Sequence, residues 1–127
     1  MSEKSLAAVV RLMELAGVNY AFEEWRDDPV YPYWIGEYAE FENMNEDGMQ
    51  ETAFTLTGFT RGDRLELEQE KANISRLLEP AGFRTISDDQ TSVVVLFYGN
   101  ALANIPTGDA ELKKIQVNVT VKEWSVK

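Results

Sequence analysis

The chain has no cysteine and no histidine. Without cysteine there is no disulfide framework and no thiolate metal site. Without histidine, Ser-His-Asp and Cys-His catalysis and ordinary zinc sites are excluded. Basic residues are scarce as well: 12 Lys and Arg stand against 22 Asp and Glu, a formal charge of −10. Such a chain repels a phosphate backbone, which argues against sequence-specific nucleic-acid binding. Long apolar runs are missing. The longest uninterrupted one, Val93–Tyr98, falls far short of the ~20 residues a membrane span needs. The stretch MSEKSLAAVVRLMELAG carries charges through its apolar part, so it reads as an amphipathic helix and not a signal peptide. No membrane partner and no cofactor are expected.

What is present is enough for a packed core. Apolar residues make up 44% of the 127 positions and aromatics 11%, which argues against intrinsic disorder despite the charge. The length fits a single domain, 1–127. The charge is concentrated. From Tyr20 to Glu51, ten acids face only Arg26, whereas Leu112–Lys127 carries four lysines against Glu123. The acidic tract is either a solubilising face or a surface set against a basic partner or DNA.

The apolar pattern predicts the elements. Leu6, Val9, Val10, Met13 and Ala16 follow helical spacing, with Gly17 placed to cap the C-terminus. Val18–Trp25 reads as extended, ending in the Asp27-Asp28-Pro29 turn. Trp34–Phe41 and Thr52–Phe59, joined by the turn-forming Asn43–Gly48, suggest a hairpin. A second helix is expected over Asp63–Glu79, with Asp63 as N-cap and Glu66 at capping-box spacing. Ile74, Leu77 and Leu78 give its apolar stripe, and Pro80 with Gly82 stops it. A short strand at Phe83–Ile86 precedes Val93–Tyr98, whose unbroken apolar run predicts a strand covered on both faces. A loop is expected over Gly99–Asp109. The chain then closes on a strand in which Ile115, Val117, Val119 and Val121 alternate with polar residues and pack inward, partly under the second helix. Two helices on a mostly antiparallel β-sheet make this an α+β domain.

Carboxylates are the only catalytic groups in quantity. Asp27-Asp28 and Asp88-Asp89 have oxygen ligands for a hard cation, but both pairs stand in turn contexts where Asp is favoured anyway. No catalytic residue and no metal ligand is assigned. Gly58-Phe-Thr-Arg-Gly62 lacks P-loop spacing, and Asp63 as N-cap would occupy the same N–H groups. Tyr31, Tyr33, Trp34 and Tyr38 form an aromatic group read as core or as protein–protein interface. Stacking of single strands is argued against, because no base lies in sequence between Arg26 and Arg61. Leu102, Asn104 and Ile105, in the loop before the last strand, are further interface candidates, either folded back or docked on a neighbour.

Three segments carry a family resemblance: Tyr31-Pro-Tyr-Trp-Ile-Gly-Glu-Tyr38, Phe54-Thr-Leu-Thr-Gly-Phe-Thr-Arg-Gly62 and Ile105-Pro-Thr-Gly-Asp-Ala-Glu-Leu112. They resemble small structural proteins from the morphogenesis modules of tailed phages and prophages of Gram-positive bacteria, and within these the tail terminator or tail completion proteins. The resemblance implies an α+β, non-enzymatic subunit that assembles with itself into a ring, commonly a hexamer. Such a ring stops growth of the tail tube and receives the head connector, so the implied partners are the tail-tube and connector proteins. The implied location is the host cytoplasm during assembly, then the virion tail. A head–tail joining or minor capsid protein of the same module is the alternative, and a small ligand-binding or enzymatic domain is the alternative of another class. In a ring, Glu40, Glu42, Glu46 and Asp47 would face the lumen and repel passing DNA, or would dock a basic partner.

Overall fold

The computed structural model of the chain describes residues 1–26, 28–40, 49–103 and 105–125. In chain order the elements are α1 (Glu3–Ala16), β1 (Tyr20–Phe22), β2 (Tyr33–Glu40), β3 (Met49–Thr60), α2 (Arg64–Leu78), β4 (Phe83–Ile86), β5 (Ser92–Leu102) and β6 (Lys113–Ser125). The strands form one sheet in the order β1-β2-β3-β6-β5-β4. Only β1 and β2 run parallel; the other four pairings are antiparallel. The architecture is α+β, and β2–β3 is the expected antiparallel pair.

Helix α1 starts where the Ser2 hydroxyl accepts from the Ser5 N–H, and ends at Gly17 with φ 72°, a left-handed value that glycine adopts without strain. Its buried residues are Ser5, Ala8, Val9, Leu12, Met13 and Ala16, a three-and-four spacing that keeps them on one face. Val9, Met13 and Ala16 of the expected stripe are buried and Leu6 packs against the core, so Val10 alone is corrected. Val10 is 41% exposed while Leu12 is fully buried, so the buried face is turned one step toward Leu12 from the expected one. Helix α2 begins as expected: the Asp63 carboxylate accepts from the Leu65 N–H at 2.9 Å. Leu67, Ile74 and Leu78 are its buried residues, and Leu77 packs at the margin of the core.

The last strand is the centre of the sheet. Ile115, Val117, Val119 and Val121 are all buried, with Phe54 and Leu56 of β3 on one side and Leu96 of β5 on the other. They belong to a single core cluster with both helices, so the helices cover one face only. At its centre β5 is covered on both faces, as the unbroken apolar run predicts, but by different means. Val94 and Leu96 join that cluster, whereas Val95 is buried on the opposite face, outside it. What covers Val95 is not a second layer of helices. A Cβ on Gly82 would lie 2.8 Å from a Val95 methyl, so the backbone leaving α2 passes close over it. Arg84 and Lys122 flank it in register, and such long side chains shield apolar surface with their stems.

The loop expected to start at Gly99 starts later. Strand β5 continues to Leu102 through a bulge between Tyr98 and Asn100. Gly99 is what allows this, since a Cβ there would sit 2.8 Å from the Asn118 carbonyl oxygen. At the other end of the sheet, Glu123 is buried at the start of α1 and accepts from the hydroxyls of Ser2 and Ser5. A carboxylate at a helix N-terminus is favoured by the dipole and by charge-assisted hydrogen bonds. This contact ties the first turn of the chain to its central strand.

Candidate functional site

The four aromatics grouped by sequence do not form one cluster. Strand alternation sends them to opposite faces. Trp34 is fully buried in the core, its indole N–H donating to Glu70 of α2 at 2.9 Å. Tyr38 lies on that same face at the sheet margin, stacked on Phe22 with centroids 5.9 Å apart. Tyr33 points to the other, helix-free face. There it stacks on Phe59 of β3 at 5.2 Å and meets Trp25 at 5.2 Å and Tyr31 at 5.5 Å. None of these four rings belongs to the core cluster or packs against it.

Two cations join this aromatic ladder, both from outside the segment that supplies most of its rings. The Lys114 ammonium lies 5.8 Å from the Phe59 ring centroid, within cation–π range. The Arg61 guanidinium donates to the Tyr31 hydroxyl at 3.3 Å and pairs with Asp109 at 2.7 Å. Absence of bases in the sequence around the tyrosines is thus no guide to the surface, because sheet register brings them in from β6 and from the end of β3. The alternation around Ile115 places Lys114 on the outer face, which was the available signal. Burial pushes the Tyr33 hydroxyl above its ordinary pKa. Asp109 is held below the ordinary carboxylate range, first by the Glu111 backbone N–H and then by Arg61.

The segment before β6 folds back on its own chain. Ile105 is half-buried, and its N–H donates to the Lys114 carbonyl at 3.4 Å. Thr107 Oγ1 donates to the Leu112 carbonyl at 2.9 Å. Leu102, by contrast, is on the outer face of β5 and 49% exposed, opposite Gln116 in register. Among the interface candidates, Tyr31, Tyr33 and Leu102 therefore share the uncovered side, Trp34 and Tyr38 lie across the sheet, and Asn104 lies outside the described residues. Of the acidic candidates, Glu40 closes β2, is exposed, and contacts the amino group of Met1. Glu42, Glu46 and Asp47 lie outside the described residues.

The Asp88-Asp89 turn behaves as a turn, whereas Asp27 of the other pair lies outside the described residues. The Asp89 carboxylate accepts from the Ser87 hydroxyl, from the Thr91 N–H and hydroxyl, and from the Lys4 ammonium. These bonds hold it well below the usual carboxylate range, the Ser87 contribution being largest. Between α1 and β4 runs an open cleft of ≈ 520 Å³ whose polar lining includes Lys4, Arg11, Ser87 and Asp89. Among the described residues no three acidic side chains converge as a cation site requires.

Glu70 offers a pH test of the Trp34 contact. Burial raises its pKa, partly offset by the Trp34 hydrogen bond. A raised folded-state value means that its stabilising share is fully present below the ordinary glutamate range and is lost as pH rises through the folded value. Glu70→Gln keeps an oxygen for the indole N–H and removes the charge. It should raise the melting temperature relative to the parent at about pH 7 and do so less at about pH 4. An equal shift at both would mean that Glu70 is not desolvated as described.

No protein-family model and no curated protein matches this chain.

Proposed function

We propose that this protein is a structural subunit of a tailed-phage virion, of the tail terminator type, which assembles into a ring that caps the tail tube and joins it to the head. One observation carries the reading. Two of the segments that resemble the terminator proteins lie on the consecutive strands β2 and β3, and the third, some forty residues further on, meets them at one end of the sheet. Tyr33 from the first pairs with Phe59 from the second, and Arg61 from the second bridges Tyr31 of the first and Asp109 of the third. Their meeting point is an outward aromatic and charged surface, the composition found at protein–protein contacts. It is not an enclosed cavity lined by convergent polar groups.

Light scattering on the purified chain should give a mass of several subunits, and negative-stain electron microscopy should show annular particles. Added to polymerising tail-tube protein, the chain should limit tube length. A monomer that leaves tube length unchanged would overturn the proposal. A head–tail joining role would give self-association without any effect on the tube.

A further inference from the structure

The two edge strands of the sheet differ. In β1, three residues long, the Phe22 carbonyl already accepts from the Glu24 N–H at 2.8 Å, in the turn that ends the strand. The other edge is β4. Just past it the Ser87 N–H donates to the Ser92 carbonyl at 2.9 Å, and the ladder continues with Thr85 opposite Val94 and Phe83 opposite Leu96. In an antiparallel ladder such bonded pairs alternate with residues whose N–H and C=O point away from the partner strand. Arg84 and Ile86 therefore turn theirs outward from the sheet. Helix α1 does not close this edge, since the ≈ 520 Å³ cleft opens beside Thr85, Ile86 and Ser87. Ile86 is 63% exposed, and Arg84 and Asp88 are exposed as well. Neither Arg84 nor Asp88 makes an ion pair among the described residues.

We infer that β4 pairs antiparallel with the β4 of a second copy, about a two-fold axis at Ile86. The segment itself selects this occupant. Arg84, Ile86 and Asp88 stand two positions apart and read cation, apolar, anion. Laid antiparallel against itself, the segment sets Ile86 opposite Ile86 and each Arg84 opposite Asp88 of the other copy. One apolar pair is then flanked by two ion pairs, and both charges find the partner that their own chain does not supply. Parallel pairing would bring Arg84 beside Arg84, and like charges opposite each other repel. The register also suits the backbone, because it faces the outward N–H and C=O of Ile86 with those of its counterpart, as a hydrogen-bonded pair requires. This is strand addition, in which main-chain bonds supply affinity and side chains fix register. With four residues in each strand, the contact belongs to the small and weak class of interfaces. It is isologous and gives a closed pair, whereas ring closure needs a heterologous contact. The inference therefore goes beyond the ring reading and does not depend on it.

Charge reversal in the full chain tests this. Arg84→Asp and Asp88→Arg each set like charges against each other in a homodimer. Each should weaken association at least about tenfold, read by sedimentation across a concentration series. Mixed in equal amounts, the two variants are complementary at both ion pairs, and association should return to within a few-fold of the parent. A variant that had merely lost its fold would not be rescued by mixing. Hydrogen exchange reads the pairing directly: the Ile86 amide should become protected as concentration rises, while the Thr85 amide, already bonded to β5, should not change. A parent that is monomeric at the highest concentration reached overturns the contact. So does an Ile86 amide whose exchange is independent of concentration, or a mixture that associates no better than either variant alone. Parent and variants that associate equally well also overturn it, and leave the ring proposal untouched.

Discussion

Val119→Asp should leave the chain unfolded at room temperature, whereas Thr120→Asp, one residue on, should fold. Val119 is 3% exposed at the centre of the sheet, between Phe54 of β3 and Tyr98 of β5. An unpaired carboxylate there loses its hydration with no cation to replace it, a cost of several kcal/mol on top of the lost apolar contact. Domains of this size have only about 5–15 kcal/mol in total. Thr120 faces the other side, is half-exposed, and pairs with Ala53 and Phe97. Circular dichroism melts of the two variants check both the register and the claim that the helices cover a single face. Equal losses would mean that the outer face is as dry as the inner.

Trp34→Ala should cost about 3–5 kcal/mol, the range for emptying a buried aromatic site. Trp34 is fully buried, and its indole N–H is the donor that Glu70 accepts from. The reason that a residue this large fits is Gly58 on the adjacent strand. A Cβ there would lie 2.7 Å from the indole and 2.8 Å from a Leu67 methyl, closer than real contacts allow. Gly58→Ala in the parent should therefore destabilise by about 1–3 kcal/mol through overpacking. In the Trp34→Ala background it should cost clearly less, because the clash with the indole is gone. Denaturant melts of the four chains measure that coupling. Strict additivity would mean that glycine is needed at 58 for a reason other than the indole.

Much of the fold is legible in the sequence where a pattern is local. The alternation from Ile115 to Val121, the Asp63 cap and the Gly17 terminus are decided by residues within a few positions of each other, and each is found where expected. The rest depends on contacts between distant segments. The helical stripe of α1 is ambiguous by one step until the sheet selects the Leu12 side over the Val10 side. The apolar run of β5 looks like a strand between two layers, yet Val95 is covered by a passing backbone and two long cations. The three-residue β1 carries no pattern that announces a parallel pairing with β2. The candidate surface shows the same division. Tyr31 and Tyr33 are conspicuous in the sequence, and period-2 alternation already parts Tyr33 from Trp34. Nothing local brings Arg61 and Lys114 to those rings, because Lys114 arrives only through the register of β6 on β3 and Arg61 through the turn that follows β3.

The position of β6 also dictates an order of events during synthesis. It is the last strand of the described chain to leave the ribosome, yet it lies between β3 and β5 and supplies partners for the whole of β3. Until it emerges, the first three strands and the next two are separate ribbons, each with an unpaired edge and half a core. Pairings between opposite halves of a chain close slowly, and exposed edges recruit other chains in the interval. The growing chain therefore has its aromatic ladder half built, since Tyr33 and Phe59 are synthesised well before Lys114. The cation that caps the ladder takes its place only once the sheet has closed, because Lys114 reaches Phe59 through the register of β6 on β3.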